Sequence, residues 1–304
     1  MKSSPLVRRY IDPNSIALEI VSKNYSEVAW PPGIARVAER CRKGFWQLLD
    51  QEPHQEPFRI PPAEYQYDER GDELEIGLLP KCTGESKKIL TPLEIAEGRT
   101  HSDGNKWRFH FSDELPLRLS GNPELLARYQ DFFAACRLFN NRAHMIATSV
   151  AQAFDAYNRF PNEYPGSLVK RVQRGRAVTR LLRYEESKGS KLVVFDHSGK
   201  PTYTNESDPR RILVFPGTKF WGVTRGIHGT GTVHGVYDPR STHFDATLHH
   251  DRDCFTVHWL SKPEADNYRF AIVTFVHCAL KPEDVAFMNK NMAALAIDPT
   301  QYAL

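Results

Sequence analysis

The sequence predicts a mainly β core, a sandwich or barrel, packed on a helical N-terminal half. Three observations lead to that fold class. From Ala177 onward, seven short runs (AVTRLLRY, KLVVFDH, RRILVFPG, KFWGVTRG, TGTVHGV, CFTVHWL and RFAIVTFVHC) are dense in β-branched and aromatic residues, with Gly, Pro, Asn and Asp between most of them. Before them, the longest periodic run of the chain repeats apolar residues at spacings of three and four, the period of a helix. The composition, 40% hydrophobic and 25% charged over 304 residues, is that of an ordinary globular protein and excludes wholesale disorder. One integrated domain over residues 1–304 is expected, with a helical and mixed half over 1–176 and the β core over 177–304. Separate halves would leave the apolar stripe of the helices in water.

Taken in order, Gly33 to Asp50 places Ile34, Val37, Ala38, Cys41, Phe45 and Leu48 on one helical stripe. The Pro-rich stretch from Pro53 to Pro62 reads as a turn or short linker, and short β-like runs such as LEIGLL and WRFHF follow. Asn122 can cap the next helix, with Pro123 in its first turn and Glu124 suited to the dipole. From Leu125 through Phe139 to Phe154 the apolar spacing predicts one long helix to about Tyr157, its wide stripe packed on a sheet. The basic run from Lys170 to Arg176 reads as a solvated loop flank.

Several function classes fall away. Lys+Arg 40 against Asp+Glu 37 gives a net charge of +3, too small an excess to call for nucleic acid. No run of about 18 apolar residues exists to span a membrane, and MKSSPLVRRYIDPNS lacks the apolar region of a secretory signal, so a cytoplasmic protein is expected. Five scattered cysteines without a C-x-x-C pair argue for reduced thiols. The chain has no P-loop, no G-x-S-x-G and no G-x-G-x-x-G ahead of a helix. The expected partner is a small-molecule substrate, and the sequence does not specify an oligomeric state.

Histidine is the telling residue. Seven of the twelve lie between His228 and His277. A strand bearing His-x-Asp projects both side chains from one face, and a histidine on a neighbouring strand completes a two-imidazole, one-carboxylate set that leaves coordination positions open, as a non-haem Fe(II) site requires. Two such tripeptides occur. His101-Ser-Asp103 lies in a polar stretch without a strand pattern, whereas His249-His-Asp251 runs into the strand-like Phe255-Thr-Val-His-Trp259 and follows His234 by one loop. Asp196-His197 lacks the i, i+2 pairing and precedes a Ser-Gly-Lys-Pro turn, so it reads as the polar end of a hairpin.

These runs together resemble the Fe(II)/2-oxoglutarate-dependent dioxygenases, specifically the isopenicillin N synthase-like branch. Arg180-Leu-Leu-Arg-Tyr184 is similar to the first core strand, and Leu213-Val-Phe-Pro-Gly217 with Phe220-Trp221 to a late core strand. Thr224-Arg-Gly226 followed by Val233-His234-Gly-Val236 resembles the distal-histidine segment. Arg269-Phe-Ala-Ile-Val-Thr-Phe275 resembles the last strand, and Asn105-Lys-Trp-Arg-Phe-His-Phe111 the N-terminal half. The resemblance implies a double-stranded β-helix (jelly roll), Fe(II) as metal, 2-oxoglutarate and O₂ as cosubstrates, and hydroxylation or a related C–H oxidation. It implies His234, His249 and Asp251 as catalytic metal ligands. It also implies Arg269, helped by Tyr184, as the anchor of the 2-oxoglutarate tail, with the usual R-x-S replaced by Arg269-Phe-Ala271. A metal-free relative that keeps the barrel as a binding module is the alternative.

The order departs from the family pattern. There the H-x-D strand follows the R-x-L-R-Y strand closely, whereas here the matching text, from Thr242 to Pro263, comes after His234. Either this strand is relocated and still fills the usual place, or the original H-x-D is lost and this one is chance. Asp251-Arg252 and Phe255-Thr256 also resemble the family, which favours relocation. A short connection further predicts that the strand of Phe255 and Val257 pairs with that of Val233 and Val236.

Overall fold

The computed structural model describes residues 12–30, 33–51, 58, 76–79, 106–157, 167–184, 191–203, 211–237, 253–260 and 268–295. Helix α1 (Pro13–Lys23) leads into β1 (Ser26–Ala29), and α2 (Ile34–Gln51) follows. All six residues of the stripe expected in α2 are buried. Gly44 lets α2 lie close to the helix beneath it, since a Cβ there would stand 2.5 Å from the Phe132 ring. Strands β2 (Gly77–Leu79) and β3 (Lys106–Phe111) come next, then short α3 (Glu114–Arg118).

The helix expected from Pro123 to Tyr157 is present but broken. Asn122 caps α4 (Pro123–Arg128) by accepting the Leu125 N–H at 3.1 Å, and Tyr129 then leaves helical geometry at φ −108°, ψ 12°. The break sets the buried Tyr129 ring edge-on to Phe58, 5.3 Å between centroids, before α5 (Gln130–Tyr157) continues. The basic run is no loop flank. Ser167–Arg174 forms helix α6, whose Arg171 is buried in an ion pair with Asp284. Asp155 caps α6, accepting the Leu168 and Val169 N–H groups at 3.2 and 2.9 Å.

Strands β4 (Ala177–Tyr184), β5 (Lys191–Phe195), β6 (Pro201–Tyr203), β7 (Arg211–Pro216), β8 (His234–Tyr237), β9 (Phe255–Leu260) and β10 (Arg269–Val276) follow, with α7 (Thr218–Val223) after β7 and α8 (Pro282–Lys290) after β10. Lys219–Gly226, expected as a strand, is therefore α7 and a turn. Phe220 and Val223 both enter the core, and a spacing of three puts them on one face of a helix but on opposite faces of a strand.

Among the described residues the strands form two antiparallel sheets, ordered β1-β7-β9-β10-β4-β3-β2 and β6-β5-β8. One face of the larger sheet (Leu181, Val257, Trp259, Phe270, Ile272) joins the apolar faces of α2 and α5 in one core. Thr179 Oγ1 bridges that layer, donating to Asn140 Oδ1 of α5 at 2.8 Å beside Thr274 Oγ1 at 2.9 Å. The opposite face (Leu182, Leu213, Phe215, Ala271, Val273) meets Leu192 and Val194 of the smaller sheet in a second cluster. The sheets thus enclose an interior of their own.

The expected pairing of β9 with β8 does not occur. β9 lies between β7 and β10, and β8 pairs with β5 in the other sheet. The physical reason is burial on both faces. Phe255, Thr256, Val257, His258 and Trp259 are all buried, and only a central strand of the helix-covered sheet hides both sides at once.

Candidate functional site

Cross-strand partners share a face, so the register says which side chains look between the sheets. On β10 these are Arg269, Ala271, Val273 and Phe275, opposite Tyr184, Leu182, Arg180 and Val178 of β4. On β9 they are Thr256 and His258, the latter between Val273 and Leu213. β3 adds Arg108 opposite Leu182 and His110 opposite Arg180. From the smaller sheet, His234 lies opposite Val194.

Arg269 and Tyr184, expected to act on one carboxylate, are brought together as direct cross-strand partners. The guanidinium carbon of Arg269 stands 5.1 Å from the centroid of the Tyr184 ring, and Arg269 is only 1% exposed. Such a cation is always charged and presents a planar fork of donors. Arg180 lies over the Phe275 ring at 4.6 Å.

His234 is buried, with its ring 5.0 Å from that of Phe215, and its Nδ1 is 3.1 Å from the Thr232 carbonyl. A proton on Nδ1 donated to that carbonyl leaves Nε2 with the lone pair, the arrangement that orients a metal-ligating histidine. His249 and Asp251 lie outside the described residues, as do His101 and Asp103. Among the described residues no group of three His, Cys, Asp or Glu side chains could hold a metal ion.

The described residues just before His234 and just after Asp251 are nevertheless pinned to one corner. The Gly217 and Lys219 N–H groups donate to the carbonyls of Cys254 (3.1 Å) and Asp253 (2.9 Å), three and two residues beyond Asp251. The Thr232 N–H, two residues before His234, donates to the Pro216 carbonyl at 2.9 Å. Asp253 is fully buried and accepts the Thr256 hydroxyl at 2.9 Å. The turn from Pro216 to Lys219 therefore holds both approaches to the expected ligand set.

Asp196-His197 takes the hairpin place expected of it. Burial raises the Asp196 carboxyl, but hydrogen bonds from the Ser198 hydroxyl and the Lys200 and Ser198 amides outweigh it and leave the pKa lowered. Sequence reasoning missed His258, His110, Arg180 and Arg108 as interior residues. The signal was present as alternation, since Phe255-Thr-Val-His-Trp259 and Trp107-Arg-Phe-His-Phe111 each carry polar residues at every second position.

Behind α7, His228 is buried between the rings of Phe154 (5.3 Å) and Phe220 (5.8 Å). Burial, and then the nearby His197, hold its pKa below the usual 6.5. As pH falls, the unfolded chain takes up this proton before the folded one, so stability is lost below about pH 6.5 down to the folded pKa. Asp155 works the other way, because burial raises its carboxyl against the Val169 and Leu168 amides. Urea midpoints measured from pH 7 to 5 are expected to fall in the parent and to fall less in His228→Phe. Equal slopes would show that His228 is not the group responsible.

No family model matches the chain, and no curated protein matches its sequence. Solved structures do match its fold. A protein of Shewanella oneidensis described as an oxygenase is similar at 12% identity and a TM-score of 0.56, over 92% of this chain and 94% of that one. A Caulobacter crescentus protein described as belonging to the 2OG-Fe(II) oxygenase family is similar at 14% identity and a TM-score of 0.50, over 95% of both chains. The chain thus has the fold of the Fe(II)/2-oxoglutarate oxygenases, a double-stranded β-helix core packed on helices. Among the described residues no helix is long and apolar enough to cross a membrane.

Proposed function

We propose that this chain is a non-haem Fe(II), 2-oxoglutarate-dependent oxygenase acting on a small molecule, with His234, His249 and Asp251 as metal ligands and Arg269 with Tyr184 holding the cosubstrate. The observation that carries the reading is the shared Pro216–Lys219 corner. It holds Thr232, two residues before His234, and Asp253, two residues after Asp251, by main-chain hydrogen bonds, which supports a shared site. In this reading the H-x-D strand is relocated in the chain and keeps its place in the core.

The described residues fit the groups proposed. His234 has a carbonyl within hydrogen-bond reach of Nδ1, so the Nδ1–H tautomer would present Nε2, and Arg269 is a buried cation in the same interior. Fe(II) and 2-oxoglutarate, held by these residues, would supply the activation of O₂ for hydroxylation of a substrate C–H, with succinate and CO₂ as coproducts. The chain's own contribution is placement. Arg269 would hold the distal carboxylate of the cosubstrate with its fork of donors, and the Tyr184 hydroxyl would add another. Ala271 lacks the hydroxyl that a serine would add there. Leu182, Leu213, Phe215 and Val273 keep water from the reacting groups.

Anaerobic iron titration of the apo protein, followed by the charge-transfer absorption on adding 2-oxoglutarate, tests the assignment. The parent is expected to bind one iron per chain. Asp251→Ala and His234→Ala should each lose bound iron by tenfold or more, in line with the removal of one of three ligands. Unchanged iron content in Asp251→Ala would reject the ligand set, and a parent without affinity for iron or 2-oxoglutarate would leave the barrel as a binding module.

A further inference from the structure

The interior face of the larger sheet is rich in arginine. The register places Arg108, Arg180, Arg211 and Arg269 on it. Glu27, opposite Leu213, is the acid that the described strands of this sheet contribute to that face, and it is bound to Arg211 at 3.3 Å on the far side. Arg108 stands apart from the other arginines. It lies opposite Leu182, a member of the inter-sheet cluster, while its neighbours Trp107 and Phe109 face the helices. It is 3% exposed, and its Nη2 is buried with no hydrogen-bond partner. Among the described residues it forms no ion pair or ring contact either.

A guanidinium does not shed its proton, so burial cannot neutralise Arg108 as it would a lysine or histidine. Holding it in the interior without an opposite charge is costly, and the arrangement makes sense when an anion arrives to pair with it. We infer that Arg108 is a second carboxylate anchor, that it holds the substrate rather than the cosubstrate, and that the substrate class is small organic acids with an apolar body. The inference rests on the oxygenase reading for the word substrate. The apolar body follows from Leu182, opposite Arg108, and Ala271 beyond it, which join Val273, Leu213 and Phe215 in the inter-sheet cluster.

The geometry leaves room for two anions. Strand spacing and rise put the Cα atoms of Arg108 and Arg269 about 12 Å apart, two strands across and two residues along. Arg269 and Tyr184 together already offer three donors to one carboxylate, which leaves the Arg108 fork for another. The rival source of that carboxylate is 2-oxoglutarate itself, with Arg108 and Arg269 converging on one end of it, and the experiment separates the two.

The test is calorimetric titration of the full chain with matched acids and amides, hexanoate against hexanamide and phenylacetate against phenylacetamide, with 2-oxoglutarate titrated in parallel in the presence of Mn(II). The parent is expected to bind at least one acid tenfold or more tightly than its amide. Arg108→Met should remove that preference and Arg108→Lys should keep part of it, while 2-oxoglutarate affinity changes by less than twofold in both. Arg108→Gln, which retains length and polarity, serves in place of Arg108→Met if that variant does not fold. A parent that binds none of the acids, or binds acid and amide alike, overturns the proposal. So does a loss of 2-oxoglutarate affinity in Arg108→Met, which would assign the residue to the cosubstrate. A parent that binds no 2-oxoglutarate but shows the Arg108-dependent preference for acids would remove the oxygenase reading and leave the carboxylate site standing.

Discussion

Arg269→Ala is expected to lower 2-oxoglutarate affinity by on the order of a hundredfold or more. Truncating one partner of a buried, hydrogen-bonded charge pair costs about 2–5 kcal/mol, and each 1.4 kcal/mol is about tenfold in affinity. The structure gives reasons to expect the upper part of that range. Arg269 is 1% exposed, so water cannot replace the lost donors, and its cross-strand partner Tyr184 offers one hydroxyl where the guanidinium offers a fork. Arg269→Lys keeps the charge but not the planar pair of donors, and its loss should fall between parent and alanine. Titration of 2-oxoglutarate into the Mn(II)-loaded protein measures all three. Affinity in Arg269→Ala equal to the parent's would show that the carboxylate is held elsewhere.

The largest effect on stability is expected at Asp284 of α8, outside the proposed site. This fully buried carboxylate in the first turn of α8 pairs with Arg171 of α6 and with Arg225 at 3.1 Å, and it accepts the Lys281 N–H at 2.8 Å. Removing it takes from Arg171, which is 5% exposed, the buried carboxylate it pairs with. Breaking a buried pair from one side costs about 3–5 kcal/mol. Asp284→Ala should lower the unfolding free energy by about that amount in urea titrations, and Asp284→Asn, which keeps some hydrogen bonding, by less. A change under about 1 kcal/mol would mean that water reaches Arg171 once the carboxylate is gone.

The parts of this molecule legible in its sequence are those decided by local periodicity. The α2 stripe from Ile34 to Leu48 is such a case, because each of its residues needs only the helical period to reach the core. Arg269 and Tyr184 each reveal a face by alternation within a single strand. Their meeting across the ladder comes from tertiary pairing, which periodicity does not encode. The same limit explains the misplaced neighbour of β9, whose partners β7 and β10 are set by its need for cover on both faces. The run from Lys219 to Gly226 misleads because aromatic residues suit a strand as well as a buried helix, and only the joint burial of Phe220 and Val223 decides between them. Arg171 looks like a surface charge until Asp284, 113 residues later in the chain, is placed against it. His249 and Asp251 stand on their pattern in the sequence and on the anchored residues Asp253 and Cys254 that follow them.

The position of β9 and β10 has a consequence for how the molecule is made. These strands come after every other strand of the larger sheet in the chain, yet they fill two inner places of that sheet, between β7 and β4. As a nascent chain emerges, β1 with β7 and β2 with β3 and β4 can form two separate ladders, each presenting an open edge to the slot that the last two strands will occupy. Those edges carry the unpaired N–H and C=O groups through which a strand from another molecule can add itself. Closing the sheet is therefore a late, long-range event, the kind that slows folding and lengthens the time a chain spends exposed to its neighbours. Chaperone demand and the risk of misassembly during synthesis are concentrated in the interval before the β9–β10 pair arrives.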